Sequence, residues 1–394
     1  MTSTTDALPK VIVVGGGIVG LNTAYELASR GANVIVLEAG GIAQGTTSTS
    51  YAWLNSNNKE PDSYFELNEA GLRAHQRMAG TAAPWMAAEG HVEVASDIAH
   101  DDELVRRAGR LAERGYQVEE ISGRTAARLI PSLKIPSGTR RVVHFPDEGA
   151  LYPLLYVAEL VRRLRSLGAE IRENTPVTGV AGTSDGGARL TLDSGEALFA
   201  DRVVLAAGRH SAGLAHMAGV DLPLLPFREP GDLTVGYLLR TNPLPIPLTQ
   251  LITTDWINIR PDGGGRLLLQ TLDLDASADP RNVPGEASEL AREVLHRLQA
   301  VFSETAGAVI DQVLVGQRPM PADGRSLIGV PEEAEWLYVL VTHSGVTLAP
   351  ALAEGAAAEV TGGREPMFDK FRLSRFAAGP FQEKPLRPRK PGEQ

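Results

Sequence analysis

The stretch Val11-Ile12-Val13-Val14-Gly15-Gly16-Gly17-Ile18-Val19-Gly20 decides the fold. Four β-branched apolar residues open it and predict a strand buried on both faces. Gly15, Gly17 and Gly20 follow as G-x-G-x-x-G. Apolar side chains at Leu21, Ala24, Tyr25, Leu27 and Ala28 keep a helical spacing, and Gly31 ends that helix as a C-cap glycine. Asn33-Val34-Ile35-Val36-Leu37 predicts a second strand, with Glu38 at its end.

Each position has a physical role in binding a dinucleotide. Gly15 allows the tight turn, Gly17 lets backbone approach a pyrophosphate, and Gly20 lets the helix pack closely on the sheet. Ile18 and Val19 open the helix, whose unpaired N–H groups and dipole favour phosphate. Glu38 stands 18 residues after Gly20. Its carboxylate can accept hydrogen bonds from both ribose hydroxyls, and it would repel a 2′-phosphate, which argues against NADP. Ala39 follows it beside the nucleotide. The motif itself leaves FAD and NAD both open.

The chain of 394 residues is long enough for two domains with sizeable cores. Its net charge of −10, with no basic run before the C-terminal tail, argues against a nucleic-acid partner. With no cysteine there is no disulfide, no thiolate metal site and no flavin tethered through sulfur, and no metal is expected. No apolar run reaches the roughly 18 residues of a membrane span. Met1 to Lys10 carries no targeting signal, so a cytoplasmic protein is expected.

Outward from the motif, Gly40 to Asn58 reads as a polar loop running along the dinucleotide, with small hydroxyl residues suited to close approach. Trp53 within it is an unusual expense for a solvent loop. Helices are predicted over Ser63 to Met78, Asp101 to Arg114, Thr125 to Leu129, Tyr152 to Leu167 (Leu155, Leu160, Val161 and Leu164 inward) and Glu286 to Phe302. Phe145 to Gly149 reads as a turn. Asp201 to Gly208 reads as a buried strand ending in glycine. Asp232 to Arg240, Gln250 to Arg260, Arg266 to Leu272 and Val309 to Gly316 predict an antiparallel sheet with one face free to cover a ligand. Trp336 to Val341 is a further strand, followed by a small-residue helix over Ala351 to Val360. Phe381 to Gln394 reads as a mobile tail.

The motifs in this order resemble the D-amino-acid-oxidase-like family of FAD-dependent amine oxidoreductases, which includes glycine oxidase, sarcosine oxidase and D-amino acid dehydrogenase. The resemblance rests on the N-terminal motif, Thr46-Thr47-Ser48, Asp147-Glu148-Gly149 before a helix, and Val203 to Gly208. It rests further on Gly316-Gln317-Arg318-Pro319 before Asp323-Gly324, and on His343-Ser344-Gly345 running into Thr347-Leu348-Ala349-Pro350. It spans nearly the whole chain and is specific for the family, not for a substrate.

The resemblance implies an α/β fold, α+β overall. A Rossmann-like FAD-binding domain would comprise residues 1–85, 145–221 and 317–375, with an inserted antiparallel substrate domain from 86–144 and 222–316 and a tail at 376–394. It implies non-covalent FAD rather than NAD. Val177 would lie near adenine, Ala207 and Gly208 near pyrophosphate, and Thr46, Thr47 and Ser48 on the flavin side. Gly345, Val346, Thr347 and Leu348 would bring helix N-terminal amides to the flavin pyrimidine.

The substrate would be an amine or amino acid oxidised at its C–N bond, with Arg318 gripping its carboxylate or else forming a structural salt bridge. Tyr237, Trp256 and Asn258 would shape the pocket or simply pack, the last two sharing one face with Arg260. His343 would touch flavin or substrate or serve as a cap. Lys59 is a weaker candidate for a pocket charge, and His91 and His144 read as structural. The chain lacks any lysine between Lys134 and Lys370, hence a counterpart of the oxygen-activating lysine of sarcosine oxidase. O2 and another electron acceptor both stay open, as do a tailoring oxidation of another small molecule and a flavin-binding protein without turnover.

With neither cysteine nor histidine between Thr46 and Trp53, acid or heat should release intact FAD from the purified protein. Flavin that stays with the denatured chain would contradict this. Glu38→Ala should lower the FAD content measured by absorbance, and unchanged content would remove Glu38 from the site.

Overall fold

A computed structural model describes residues 8–80 and 83–377. The expected C-terminal tail from Phe381 lies outside the described residues. Lys10–Val14, Ile18–Ser29 and Asn33–Leu37 form strand, helix and strand as the motif predicts. They anchor a six-stranded sheet in the order Leu327–Gly329, Leu337–Val341, Arg202–Leu205, Lys10–Val14, Asn33–Leu37, Glu170–Arg172. Lys10–Val14 pairs in parallel with both neighbours, Val11 opposite Val34 on one side and Arg202 on the other. Alternate side chains feed two separate cores. Val11, Val13, Val34 and Val36 face the helices Ile18–Ser29, Pro153–Ser166 and Gly345–Val360. Ile12, Val14, Ile35 and Leu37 face the three-stranded layer Val177–Gly182, Ala188–Leu192 and Ala197–Ala200.

The larger sheet runs Ile310–Gln317, Val235–Thr241, Leu267–Gln270, Asn258–Pro261, Leu251–Thr253, Met86–Ala95, Arg141–Leu151, Trp53–Leu54. It is antiparallel except where Leu251–Thr253 pairs with Met86–Ala95. One face is apolar, with Tyr237, Leu239, Ile252, Ile259 and Leu269 packed under the helix Glu289–Val301. The opposite face carries Leu238, Gln270, Asn258, Thr253, His91 and Glu93, as the strand registers require. No helix among the described residues is long and apolar enough to cross a membrane.

Four local expectations are corrected. Phe145 to Gly149 is not a turn but lies inside the strand Arg141–Leu151. The ladder skips Pro146 to Glu148, since His91 pairs with Phe145 and Glu89 with Gly149. A bulge there tolerates a proline without an N–H and re-aims Glu148. Gln250 to Arg260 is two strands, Leu251–Thr253 and Asn258–Pro261, joined by a tight hairpin. Leu155 points to solvent, while Tyr156 and Val157 face the core. The last long helix starts at Gly345, six residues before Ala351.

A buried charge cluster braces the polar face. Arg107 is 1% exposed and donates to Glu93 at 2.7 and 3.1 Å and to Asn57 Oδ1 at 2.7 Å. Burial alone would raise the Glu93 carboxyl, but the Arg107 charge and the hydrogen bonds from His100 and Arg107 hold it well below its usual range. His100 bridges Glu93 and Asp255 at 2.7 and 2.6 Å. Burial opposes its charge, yet hydrogen bonds to Asp255 and Glu93 and their charges raise its pKa to about 9. A raised histidine pKa stabilises fully below the unfolded value of about 6.5 and is lost as pH rises through about 9. The urea midpoint of the wild type should therefore fall more between pH 6.5 and 9.5 than that of His100→Gln. Parallel pH profiles would contradict this.

Candidate active site

The two sheets meet over a cavity of about 540 Å³. It opens at the carboxyl end of Lys10–Val14, where the chain departs to neighbours on opposite sides, the place where open α/β sheets bind ligands. Gly15 lines it with φ 115°, and a Cβ there would collide with the Ala206 carbonyl. Gly17, Ile18 and Val19 line it at the helix start, whereas Gly20 packs inward against the Gly15 carbonyl. The Ile18 N–H donates to Thr47 Oγ1 at 3.1 Å. Glu38 and Ala39 line the same end. The Glu38 carboxylate accepts from the Gly16 and Gly40 amides at 2.7 and 3.0 Å. Two such bonds leave about half of a carboxylate's acceptor capacity for hydroxyls. Val177, Ala207 and Gly208 complete this end.

The hydroxyl loop is placed differently from residue to residue. Thr46 and Thr47 line the cavity, and Thr46 Oγ1 donates to the Gln317 carbonyl at 2.5 Å, tying this loop to the segment that carries Arg318. Ser48 does not line it: its hydroxyl donates back to Gly45 on the exposed side, and Thr49 and Ser50 take its place. A tight local turn sets which hydroxyls face inward, and a run of five similar residues conceals it.

Next to Val19 stands the first turn of Gly345–Val360, a Cβ at Gly345 lying 3.2 Å from the Val19 side chain. Gly345, Val346 and Thr347 line the cavity, but Leu348 is fully buried in the helical core and does not. The helix Asp62–Ala79 holds this turn from behind. Pro350 has no N–H for the Val346 carbonyl, and His75 Nε2 supplies one at 2.7 Å. That carbonyl can only accept, so Nε2 carries the proton, and burial lowers the His75 pKa to about 4 and keeps the ring neutral. A Cβ at Gly71 would strike the Thr347 carbonyl. Tyr64 donates to Ser344 Oγ at 2.9 Å, and Thr347 donates to the Trp53 carbonyl at 2.9 Å.

The candidate substrate residues divide. Arg318 lines the cavity just beyond the strand Ile310–Gln317, its amide fixed to the Thr234 carbonyl at 2.7 Å. His343 lines it too, with Nε2 at 2.9 Å from the Gly324 carbonyl. Tyr237 is corrected: it points to the opposite face of the sheet, where its hydroxyl donates to the Ser277 carbonyl at 2.7 Å. Its neighbours Gly236 and Leu238 line the cavity instead. Trp256 is also corrected: it is 60% exposed on the hairpin tip, against Arg297. Asn258 is on the cavity side but one layer back, donating to Gln270 at 3.2 Å, and it is Gln270 that reaches the cavity. Arg260 is held by the Tyr51 carbonyl at 2.6 Å and Asp262 at 2.9 Å, a structural salt bridge.

Sequence reasoning missed Gln270 and Glu148. Glu148 accepts from Trp53 Nε1 at 2.8 Å and Tyr116 at 3.1 Å, with His91 Nδ1 at 3.0 Å. It thereby fixes Trp53, which lines the cavity. Reading Phe145 to Gly149 as a turn hid this acid. Among the described residues no cluster of His, Asp and Glu could hold a metal ion.

A cavity lined by the first turns of two helices, a carboxylate acceptor and a close-approach glycine turn fits FAD. Comparison with known proteins agrees. The chain is 27% identical over 363 residues to glycine oxidase of Bacillus licheniformis, covering 89% of this chain and 92% of that one. It is 27% identical to 4-methylaminobutanoate oxidase (formaldehyde-forming) of Paenarthrobacter nicotinovorans, covering 92% of this chain and 45% of that longer protein. The crystal structure of glycine oxidase from Geobacillus kaustophilus superposes with a TM-score of 0.81 at 22% identity, over 93% of this chain and 98% of that one. The family described as DAO, FAD dependent oxidoreductase, matches residues 10–359, and the chain belongs to it.

Proposed function

We propose that this protein oxidises the C–N bond of an amino acid or N-substituted amino acid to an imine, which water then hydrolyses. The observation that carries this reading is Arg318 on the wall of the cavity that the first turn of Gly345–Val360 also lines, with its segment tied to the hydroxyl loop through Thr46. A guanidinium grips a carboxylate through two parallel bonds and so orients the α-carbon. The fit of the amine relatives, glycine oxidase and 4-methylaminobutanoate oxidase, supports the same substrate class.

The roles follow from position. Glu38 would accept from the ribose hydroxyls, the Gly17 and Val19 amides would meet the pyrophosphate, and those of Gly345 to Thr347 would stand where negative charge develops on reduction. FAD bound there would supply the hydride acceptor, with O2 or another compound as the final electron acceptor. Arg318 holds the carboxylate, and Trp53, Leu238 and Gln270 wall off water and fix the substrate's approach. The amine binds unprotonated, so its lone pair forms the C=N bond as the α-C–H leaves as hydride, and no side-chain base is required.

Anaerobic mixing of the FAD-loaded protein with a panel of amino acids and amines should bleach the flavin absorbance with carboxylate-bearing amines. A panel in which none does so would overturn the proposal. Arg318→Ala should lose about 2–5 kcal/mol of transition-state stabilisation, as for truncating one partner of a buried charge pair. Arg318→Lys should recover only part of it. Wild-type reduction kinetics in a folded, FAD-replete Arg318→Ala protein would place the anchor elsewhere.

A further inference from the structure

A line of hydrogen bonds crosses the polar face of the large sheet and ends at the cavity. His91 Nε2 is 2.9 Å from Thr253 Oγ1, Thr253 Oγ1 donates to Asn258 Oδ1 at 2.9 Å, and Asn258 Nδ2 donates to Gln270 Oε1 at 3.2 Å. Behind it, His91 Nδ1 lies 3.0 Å from Glu148, the acid that also holds Trp53 Nε1 at 2.8 Å. His91, Thr253, Asn258 and Glu148 are each at most 2% exposed, so water does not compete for these bonds.

The line has a direction. A hydroxyl has one proton, and that of Thr253 goes to Asn258, so its oxygen accepts from His91 Nε2. Asn258 accepts through its oxygen and donates through its nitrogen, which occupies the oxygen of Gln270. The bonds an amide makes decide which way it faces. Gln270 is left with its Nε2 toward the cavity that it lines. Among the described residues that nitrogen has no acceptor within the chain. Unlike the sealed amide nitrogens of Asn55 and Asn57, it is open to the cavity.

Gln270 and Arg318 flank one stretch of the same sheet face. Leu239 pairs with Leu269, which sets Gln270 beside Leu238. The Arg318 N–H bonds the Thr234 carbonyl, which sets Arg318 beside Thr234. The two therefore stand on opposite sides of Val235–Thr241, the strand between Ile310–Gln317 and Leu267–Gln270. Gly236 lies between them and lines the cavity without a side chain. At about 3.4 Å per residue and about 4.8 Å between strands, the Cα atoms of Arg318 and Gln270 are roughly 16 Å apart. Their two side chains span part of that distance, which leaves a molecule several bonds long lying over Gly236.

We infer that Gln270 Nε2 donates to an oxygen of the substrate at the end away from Arg318, and that Asn258 is the positioning residue that turns it. The inference rests on the amino-acid oxidation proposed above. It narrows the substrate to amino acids whose side chain or nitrogen substituent carries an acceptor oxygen. An amino acid ending in hydrocarbon would leave the Gln270 donor unmet, at a cost.

The test is binding rather than turnover. FAD-loaded protein is titrated at pH 7 with matched carboxylates, following the perturbation of the flavin spectrum. The pairs are 3-methoxypropanoate and pentanoate, 4-oxopentanoate and 4-methylpentanoate, and 5-oxohexanoate and 5-methylhexanoate. Within each pair one acceptor oxygen stands in place of a carbon, and the carboxylate for Arg318 is the same. At least one oxygen-bearing member should bind about fivefold or more tighter than its partner, although transfer from water alone favours the hydrocarbon. Gln270→Met should bring that pair to within about twofold. Asn258→Asp leaves Gln270 in place but offers it only acceptors, turns its oxygen to the cavity and should abolish the preference too. A Gln270 that merely fills space would shift both members of a pair alike. Equal affinities in every wild-type pair, or no binding by any of the six, overturn the inference whether or not the variants fold. A preference that survives either substitution overturns it as well. If a variant does not retain FAD, a crystal structure of the wild type with the preferred ligand decides. The ligand oxygen about 3 Å from Gln270 Nε2 supports the inference, and that oxygen held by another group overturns it. If the preference holds but no amine bleaches the flavin, the oxidation fails and the Gln270 donor stands. If amines bleach it and the pairs bind equally, the oxidation stands and the donor fails.

Discussion

The structure depends on one topological constraint. Lys10–Val14 takes Asn33–Leu37 as its parallel neighbour on one side and the sequence-distant Arg202–Leu205 on the other. Connections leaving in opposite directions open a crevice at the carboxyl end of the strand that neither connection can fill. Everything that lines the cavity is brought to that crevice: the glycine turn, Glu38, the hydroxyl loop, Gly208 and the first turn of Gly345–Val360. The large sheet closes it from above with a polar face, and its apolar face is satisfied elsewhere, under Glu289–Val301.

The walls of the cavity have to be held in place by polar groups that are themselves satisfied. The helix Asp62–Ala79 does this for the turn at Gly345, where Pro350 removes an N–H and His75 replaces it. Glu93, Arg107, His100 and Asp255 do it for the sheet, and Glu148 does it for Trp53. These bonds act on position. A reacting carbon must be held to a fraction of an ångström over its acceptor, and rigid backing for the first turn and for Trp53 is how a fold provides that.

How much of this was legible in the sequence depended on how local the determining physics is. The N-terminal strand, helix and strand, and Glu38 with them, were legible because strand and helix periods, glycine turn and acid spacing all act within 30 residues. The helix over Ser63 to Met78 was legible from its spacing, and Tyr64, Leu67, Leu72 and His75 along it are buried. Tyr237 was not, because a strand buried on both faces alternates without revealing which face meets the ligand. Trp256 failed because the stretch from Leu251 to Ile259, rich in β-branched residues, hides a hairpin. Glu148 failed because proline, aspartate and glycine signal a turn and a bulge alike. Lys59 was legible as a candidate charge after the hydroxyl loop, but its burial depends on tertiary packing alone.

The account's central claim is that the cavity joins flavin and substrate carboxylate through Arg318. The most direct measurement is a crystal structure of the FAD-loaded protein with an unreactive carboxylate analogue of an amino acid. The flavin should occupy the crevice above Lys10–Val14, with its pyrimidine toward Gly345 to Thr347. The analogue's carboxylate oxygens should lie about 3 Å from the Arg318 guanidinium nitrogens. A carboxylate held by other groups, with Arg318 turned away from the cavity, would contradict the account.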